Sequence, residues 1–403
     1  MATKVTTPKG FRDFLPQESS LRAFVLEKLR KSFEKFGFEP LETSAIEFAE
    51  TLKGKYGEEE KLIYEFTDRG GRQIALRYDQ TVPLARVVSQ YPTLPSPFKR
   101  YQVQPVWRAE NPQKGRFREF IQVDFDTVGT ENCLADAEIV TTAVFSMKAL
   151  GFKDFTVRVN DRSVFDGLSP ETIRALDKLQ KIGETGVIEQ IKREGYDTAQ
   201  AKALFKRVKN SSPTKRVGEL FDLLENFKVE KDKYAFDPTL ARGLDYYTGL
   251  IFELEIEGYS GGSVGGGGRY DDLIGRFAEK KIPAVGFSFG FDRLVEAAKE
   301  AKLLPTPSPV TKVLVSVFNA DLLPESLALA TRLRNRGINT EVPIETNEKL
   351  DRQLKYADSR NITFVIILGP EEVKSETLTL KNLTTGKQET LKENEVARRL
   401  TSK

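Results

Sequence analysis

The chain has 403 residues, a net charge of +3, one cysteine (Cys133), one tryptophan (Trp107) and no histidine. Without imidazole there is no Ser-His-Asp or Cys-His nucleophile site, no imidazole proton shuttle and no His-ligated zinc. A lone cysteine forms neither an internal disulfide nor a CxxC site. Chemistry is left to carboxylates, lysine, arginine, tyrosine, backbone donors and Mg²⁺. A hydrophobic content of 39% and a charged content of 30% fit a globular protein with a real core, of two or three domains. No run of ~18 apolar residues predicts a membrane span, and Met1–Pro8 lacks an apolar signal core. A cytoplasmic protein is the expectation.

Residues 17–36 read as an amphipathic helix, with Leu21, Phe24, Val25, Leu29, Phe33 and Phe36 at helical spacing and Gly37 as the stop. Ile74–Tyr78, Phe98–Arg108 and Phe117–Val128 are strand-like. The polar loop Ala109–Arg116 joins the last two, which predicts an antiparallel hairpin. A helix over Ala135–Leu150 and a strand over Phe155–Asn160 follow. Residues 163–235 are polar, helix-forming and poor in strand signal, and read as an inserted helical module. Between Thr198 and Gly218 there is no acid, but Lys202, Lys206, Arg207, Lys209, Lys215 and Arg216 are all basic. This is either a solvated helix face or a phosphate-backbone contact. Strand signals return at Leu250–Ile256 and Ala284–Gly290, then a helix runs from about Phe291 to Ala301. Leu304–Pro309 holds three prolines and reads as a stiff linker. Residues 310–403 alternate strand and helix and predict a separate small α/β domain.

The chemistry concentrates at 108–122. Arg108, Glu110, Lys114, Arg116 and Arg118 lie within eleven residues, and alternation places 118, 120 and 122 on one strand face. A cation, a flat ring (Phe120) and an amide (Gln122) suit a nucleotide, although alternating charges also suit a plain exposed hairpin. Gly265–Gly268 has neither the Walker A nor the Rossmann context, and reads as backbone approaching a ligand or another strand closely. Arg242 sits beside Tyr246 and Tyr247. Asp79, Asp126 and Glu110 are acids in apolar or aromatic surroundings, where an internal salt bridge or a cationic ligand would partner them.

These segments together resemble the histidyl-tRNA synthetases, class II aminoacyl-tRNA synthetases, along nearly the whole chain and in the same order. The resemblance rests on Pro8–Pro16, Leu76-Arg-Tyr-Asp-Gln-Thr-Val-Pro83, and Val106–Glu110 with Arg116–Gln122 (similar to motif 2). It extends over Arg242-Gly-Leu-Asp-Tyr-Tyr247, Gly267-Gly-Arg-Tyr-Asp271, Gly286–Leu294 (similar to motif 3) and an anticodon-domain-like stretch with Gln353-Leu-Lys-Tyr-Ala357. Ala109 and Ile121 stand where many bacterial members carry histidine.

The resemblance implies an α+β fold. A catalytic domain on a mostly antiparallel sheet spans 1–162 and 236–303, interrupted by a helical insertion at 163–235. A linker at 304–309 and an α/β anticodon-binding domain at 310–403 complete the chain. It implies that ATP and L-histidine form histidyl-adenylate, and that the histidyl group passes to the 3′ end of tRNA(His). The implied ATP-binding set is Arg108, Glu110, Arg116, Arg118, Phe120 and Arg293. The implied histidine-binding set is Asp79, Thr81, Gln122, Asp126, Arg242, Tyr246 and Tyr247, with Arg108, Arg242 and Arg293 catalytic. Lys202, Lys206, Arg207 and Lys209 are the candidate tRNA contacts. Mg²⁺ is an implied cofactor with no ligands assigned, and a homodimer is expected. The competing readings are a catalytically silent histidine sensor, like the regulatory subunit of ATP phosphoribosyltransferase, and an RNA-binding scaffold that keeps only the shell.

Overall fold

The computed structural model describes residues 5–54, 57–112, 115–242, 246–278, 280–306 and 309–401. Lys114, the Gly243-Leu244-Asp245 part of the signature and Pro307-Ser308 of the linker lie outside them. The chain divides into two compact units: residues up to 14 with 21–305, and 15–20 with 306 onward.

In chain order the strands of the first unit are β1 (Glu39–Pro40), β2 (Ile46–Phe48), β3 (Glu65–Thr67), β4 (Gln73–Leu76), β5 (Phe98–Trp107), β6 (Glu119–Val128), β7 (Phe155–Asp161), β8 (Tyr234–Phe236), β9 (Leu250–Ile256), β10 (Gly265–Arg269) and β11 (Ala284–Gly290). Eight of them form one sheet in the order β1-β5-β6-β11-β10-β9-β7-β8, while β2-β4-β3 forms a small second sheet. Every pairing from β5 to β7 in the large sheet is antiparallel, and only the short outer strands β1 and β8 run parallel to their neighbours. The expected hairpin is present: β5 and β6 pair from Phe98↔Val128 to Trp107↔Glu119.

The alternation of β6 decides which face is core. Val123 and Phe125 pack with Val25, Leu29 and Phe33 of helix Pro16–Lys35 and with Val140, Val144 and Met147 of helix Cys133–Leu150. Phe125 stacks on Phe33 at 4.8 Å. The even-numbered residues of β6 therefore face the other way, and the functional cavity opens on that side.

Residues 163–235 fold as helices Pro170–Asp177, Leu179–Lys192, Thr198–Lys209 and Lys215–Asn226. Val187, Phe205 and Val208 share a core with Tyr246, Tyr247 and Tyr270. Val217, Leu220 and Leu224 of the last helix join the core of helix Cys133–Leu150, and β8 then enters the large sheet. The helical stretch is thus packed into the sheet's own cores at both ends.

The second unit has a five-stranded sheet of β12 (Val313–Val315), β13 (Thr340–Glu341), β14 (Phe364–Ile367), β15 (Leu378–Asn382) and β16 (Gln388–Leu391), in the order β13-β12-β14-β15-β16. The first three are parallel and the last two antiparallel. Gln353, buried in helix Leu350–Ser359, accepts from the Val317 amide at 3.0 Å and donates to the Val317 carbonyl at 2.8 Å. Its side chain locks that helix to the chain leaving β12.

Candidate active site

A cavity of about 360 Å³ lies on the face of the large sheet opposite helix Cys133–Leu150. Strand β6 runs along its floor. Phe120, Gln122, Asp124 and Asp126 all line it, and the rise of ~3.3 Å per residue spreads them over about 20 Å. The wall therefore changes chemistry along one strand, from an aromatic ring beside the cationic loop to two buried carboxylates. Asp79, Thr81, Arg108, Glu110, Arg116, Arg242, Tyr246, Tyr247 and Arg293, all nominated by the sequence, also line it.

The carboxylate end is buried and built around one cation. Arg100 on β5 is fully buried and ion-paired to Asp126 at 2.8 Å. The Tyr270 hydroxyl donates to the other oxygen of Asp126. Burial pushes the carboxyl of Asp126 above the ordinary range, against the pull of Arg100 and the Tyr270 hydrogen bond. Asp124 is pushed up to about 7, again by burial first; Arg100 and Ser288 pull it down while Asp126 and Asp79 raise it further. Asp79 accepts from the Val82 amide, which starts the helix Thr81–Gln90. Three neighbouring carboxyl groups, two of them pushed toward the neutral form by burial, suit a small cationic ligand that would favour their charged forms. Tyr246, Tyr247 and Tyr270 close the wall, with Tyr246 4.8 Å from Tyr247 and 6.0 Å from Tyr270, and their phenols are held neutral by burial.

The other end has the opposite charge. Arg108 lies over the rings of Tyr78 and Phe120, at 4.3 and 5.1 Å, and donates to the Tyr78 carbonyl. Arg116 reaches Glu110 at 3.5 Å. Arg293 donates to the Ser263 carbonyl and rests against Gly115. Burial and then the neighbouring Arg116 lower its pKa below the usual arginine value. Guanidinium groups crowded this way fit a polyanion such as a polyphosphate. Arg242 is ion-paired to Glu253 on β9 at 2.9 Å, and burial raises the Glu253 carboxyl above its ordinary value.

Arg118 is placed differently from the rest of the nominated set. It does not line the cavity: its Nε donates to the Glu110 carbonyl at 3.0 Å and its Nη1 to the Lys9 carbonyl at 3.4 Å, so it braces the loop from behind. Lys202, Lys206, Arg207 and Lys209 lie away from the cavity, exposed on helix Thr198–Lys209. Lys209 pairs with Glu184, and Arg207 reaches the Asp166 carbonyl.

The glycine run is not a loop. Gly265–Arg269 is β10, between β9 and β11 in the sheet, and Gly265, Gly266 and Gly267 line the cavity. A side chain at Gly267 would sit 2.0 Å from the Gly286 carbonyl oxygen, and one at Gly266 would sit 2.5 Å from Nη1 of Arg242. Sequence reasoning missed Asp124, Tyr270, Ser288 and Asp292 as wall residues, and Arg100 beneath them. The period-two pattern that gives 118, 120 and 122 extends to 124 and 126 and would have found Asp124. Arg100 could be found only from the register that sets it opposite Asp126.

A family model described as histidyl-tRNA synthetase matches residues 10–294, and one described as anticodon binding domain matches 312–403. The chain is 38% identical to the histidine–tRNA ligase of Cytophaga hutchinsonii, over 98% of this chain and 99% of that one. It is 39% identical to the histidine–tRNA ligase of Helicobacter pylori, over 95% of each. Among solved structures, histidyl-tRNA synthetase from Nostoc sp. PCC 7120 superposes with a TM-score of 0.86 at 30% identity, over 99% of each chain.

Proposed function

The chain belongs to the histidyl-tRNA synthetase family, and from that premise we propose that it joins histidine to tRNA(His) in two steps through the cavity on β6. In the first step a carboxylate oxygen of histidine attacks the α-phosphorus of ATP and pyrophosphate leaves. In the second the terminal 3′-hydroxyl of the tRNA attacks the activated carbonyl and AMP leaves, the hydroxyl proton passing to a phosphate oxygen of the adenylate.

The observation that carries this reading is the polarity of a single wall, with carboxylates at one end of β6 and arginines at the other. Asp79, Thr81 and Gln122 bind the ammonium of histidine. Asp126 and Tyr247 bind its imidazole, with Tyr246 packed beside them. Phe120 stacks on adenine and Glu110 takes its amino group. Arg108 holds the α-phosphate, Arg293 the γ-phosphate, and Arg116 adds charge near them. Arg242 spans the histidine carboxylate and the α-phosphate.

The first step needs no base, because the nucleophile is already ionised. Positioning and charge neutralisation supply the acceleration. Selectivity follows from the same wall: an apolar isostere of histidine would leave buried polar groups unpaired. Among the described residues no cluster of three or more Asp, Glu or Cys side chains gathers as a metal site. Mg²⁺ accompanying ATP would add to the neutralisation of phosphate charge that Arg108, Arg116 and Arg293 provide.

The arginines also weigh against a silent histidine sensor, which has no use for a phosphate-binding end. The second chain of the homodimer has a surface to cover: Ile46, Phe48 and Phe66 on the β2-β4-β3 sheet are each more than 40% exposed. No helix among the described residues is long and apolar enough to cross a membrane, and a cytoplasmic enzyme follows from the substrate.

Histidine-dependent ATP–pyrophosphate exchange tests the reading, and its absence from well-folded protein would overturn it. Arg242→Ala should slow adenylate formation by about 100-fold or more, the scale of a lost transition-state charge contact. Because that change strands Glu253, the double variant Arg242→Ala/Glu253→Gln is the control. It should regain stability and stay slow.

A further inference from the structure

The segment Pro8–Pro16 has no role in the chemistry above, yet it touches two elements of the arginine end at once. Gly10 has a φ of +91°, and a side chain there would lie 2.8 Å from both Arg118 and Pro112. Its carbonyl accepts from the Arg118 amide at 2.9 Å, while the Lys9 carbonyl takes the Arg118 guanidinium. Two residues on, the Arg12 guanidinium lies 3.1 Å from the centre of the Phe117 ring and 2.9 Å from a carboxylate oxygen of Asp292. Phe117 belongs to the arm that carries Gly115 and Arg116. Asp292 opens helix Phe291–Glu300 and precedes Arg293. Arg22 reaches the same oxygen of Asp292 at 2.6 Å and lies over the rings of Phe14 and Phe291.

We propose that residues 9–14 are a clasp seating the arm 115–118 against the start of helix Phe291–Glu300, with Arg12 the positioning residue that keeps Arg116 and Arg293 together for the polyphosphate. Arg12 stacks on one element and pairs with the other, so neither contact alone reproduces its effect. It has a second consequence. Arg116 and Arg293 repel one another, so without a ligand something must hold their elements together against that repulsion. Asp292 lines the cavity and carries a negative charge that would oppose phosphate. Arg12 and Arg22, neither of which lines the cavity, neutralise it.

The inference rests on the ATP reading, and the test separates the two. Arg12→Ala should weaken ATP, measured both by calorimetry and as KM in exchange, by about tenfold, the size of a lost cation–π contact with a partly buried ion pair. KM for histidine should stay within about twofold. Arg12→Lys keeps the charge facing Asp292 but not the planar stack, and should fall between the two. Hydrogen exchange at the Arg118 amide should quicken in Arg12→Ala, because its acceptor is the Gly10 carbonyl. Equal loss for ATP and histidine, unchanged ATP binding, or unchanged exchange at Arg118 would overturn the clasp. If the wild type itself binds no ATP, the functional reading falls, and exchange at Arg118 still decides whether Arg12 seats the arm.

Discussion

Asp124 shows how a single position can carry a cost that the rest of the wall imposes. It is buried, its Oδ1 has no hydrogen-bond partner among the described residues, and it shares one arginine with Asp126. A carboxyl whose folded pKa is about 7, above an unfolded value of about 4, keeps its proton in the native state after the unfolded chain has lost it. Native stability therefore falls as pH rises through that window, and the penalty is complete above about pH 7. Asp124→Asn keeps the shape and cannot ionise. It should match the wild type below about pH 4 and become the more stable of the two as pH approaches 7, by roughly 2–4 kcal/mol. Urea midpoints across that range measure the gap, and a gap independent of pH would mean that Asp124 titrates alike in the folded and unfolded chains, with no penalty from burial. Under the proposed function this cost is offset in the complex, because the ammonium or imidazolium of a bound histidine would favour the charged form that burial disfavours.

At the scale of elements, β10 separates what local pattern can reveal from what only packing explains. Glycine is among the poorest strand formers, so four in succession carry no strand signal. They form a strand by pairing with β9 and β11 on either side, and they are glycines because β11 leaves no room for a Cβ at 267 and Arg242 occupies the space above 266. Gly267→Ala meets backbone and should abolish soluble, folded protein. Gly266→Ala meets chiefly the end of a movable side chain, though the Phe252 carbonyl lies 2.9 Å away. It should fold with reduced stability and lose most exchange activity by displacing Arg242. Soluble expression and exchange rates distinguish the two, and equal behaviour would contradict this account. The hairpin β5–β6 and helix Cys133–Leu150 were legible because alternation and helical spacing are local properties. Strands β8, β15 and β16 were not, since each is short and stabilised by the strand it pairs with. The site divides in the same way. Phe120, Gln122 and Asp126 share one strand, whereas Arg100 and Ser288 reach Asp126 and Asp124 from its two neighbours. Arg118 was misplaced by alternation because it lies just before β6 begins at Glu119, where the chain turns to meet Gly10.

For the whole molecule, the absent histidine and the weak net charge both turn into statements about partners. Zero histidine costs the proposed reaction nothing, since the only imidazole it requires is the substrate's. Ile121, where many bacterial members carry histidine, packs against the core of the large sheet. A net charge of +3 names no nucleic-acid partner, but helix Thr198–Lys209 concentrates its cations on an exposed surface held to the catalytic unit by Ala201, Phe205 and Val208. The four cations are not equivalent. Lys209 is engaged by Glu184, and Arg207 is turned toward the Asp166 carbonyl. Lys202 and Lys206 make no ion pair among the described residues and remain available to a phosphate backbone. Each phosphate neutralised releases bound counterion, so affinity for tRNA should depend on salt with a slope that counts such contacts. Lys202→Gln/Lys206→Gln should reduce the slope of log affinity against log salt by about one to two and weaken binding at low salt, leaving histidine-dependent exchange unchanged. Lys209→Gln should change the slope less, because its charge is already spent on Glu184. Filter binding of tRNA(His) transcript from low to moderate salt measures the slopes. An unaltered slope in the double variant would make this surface a solvated helix face and move the tRNA contact elsewhere on the molecule.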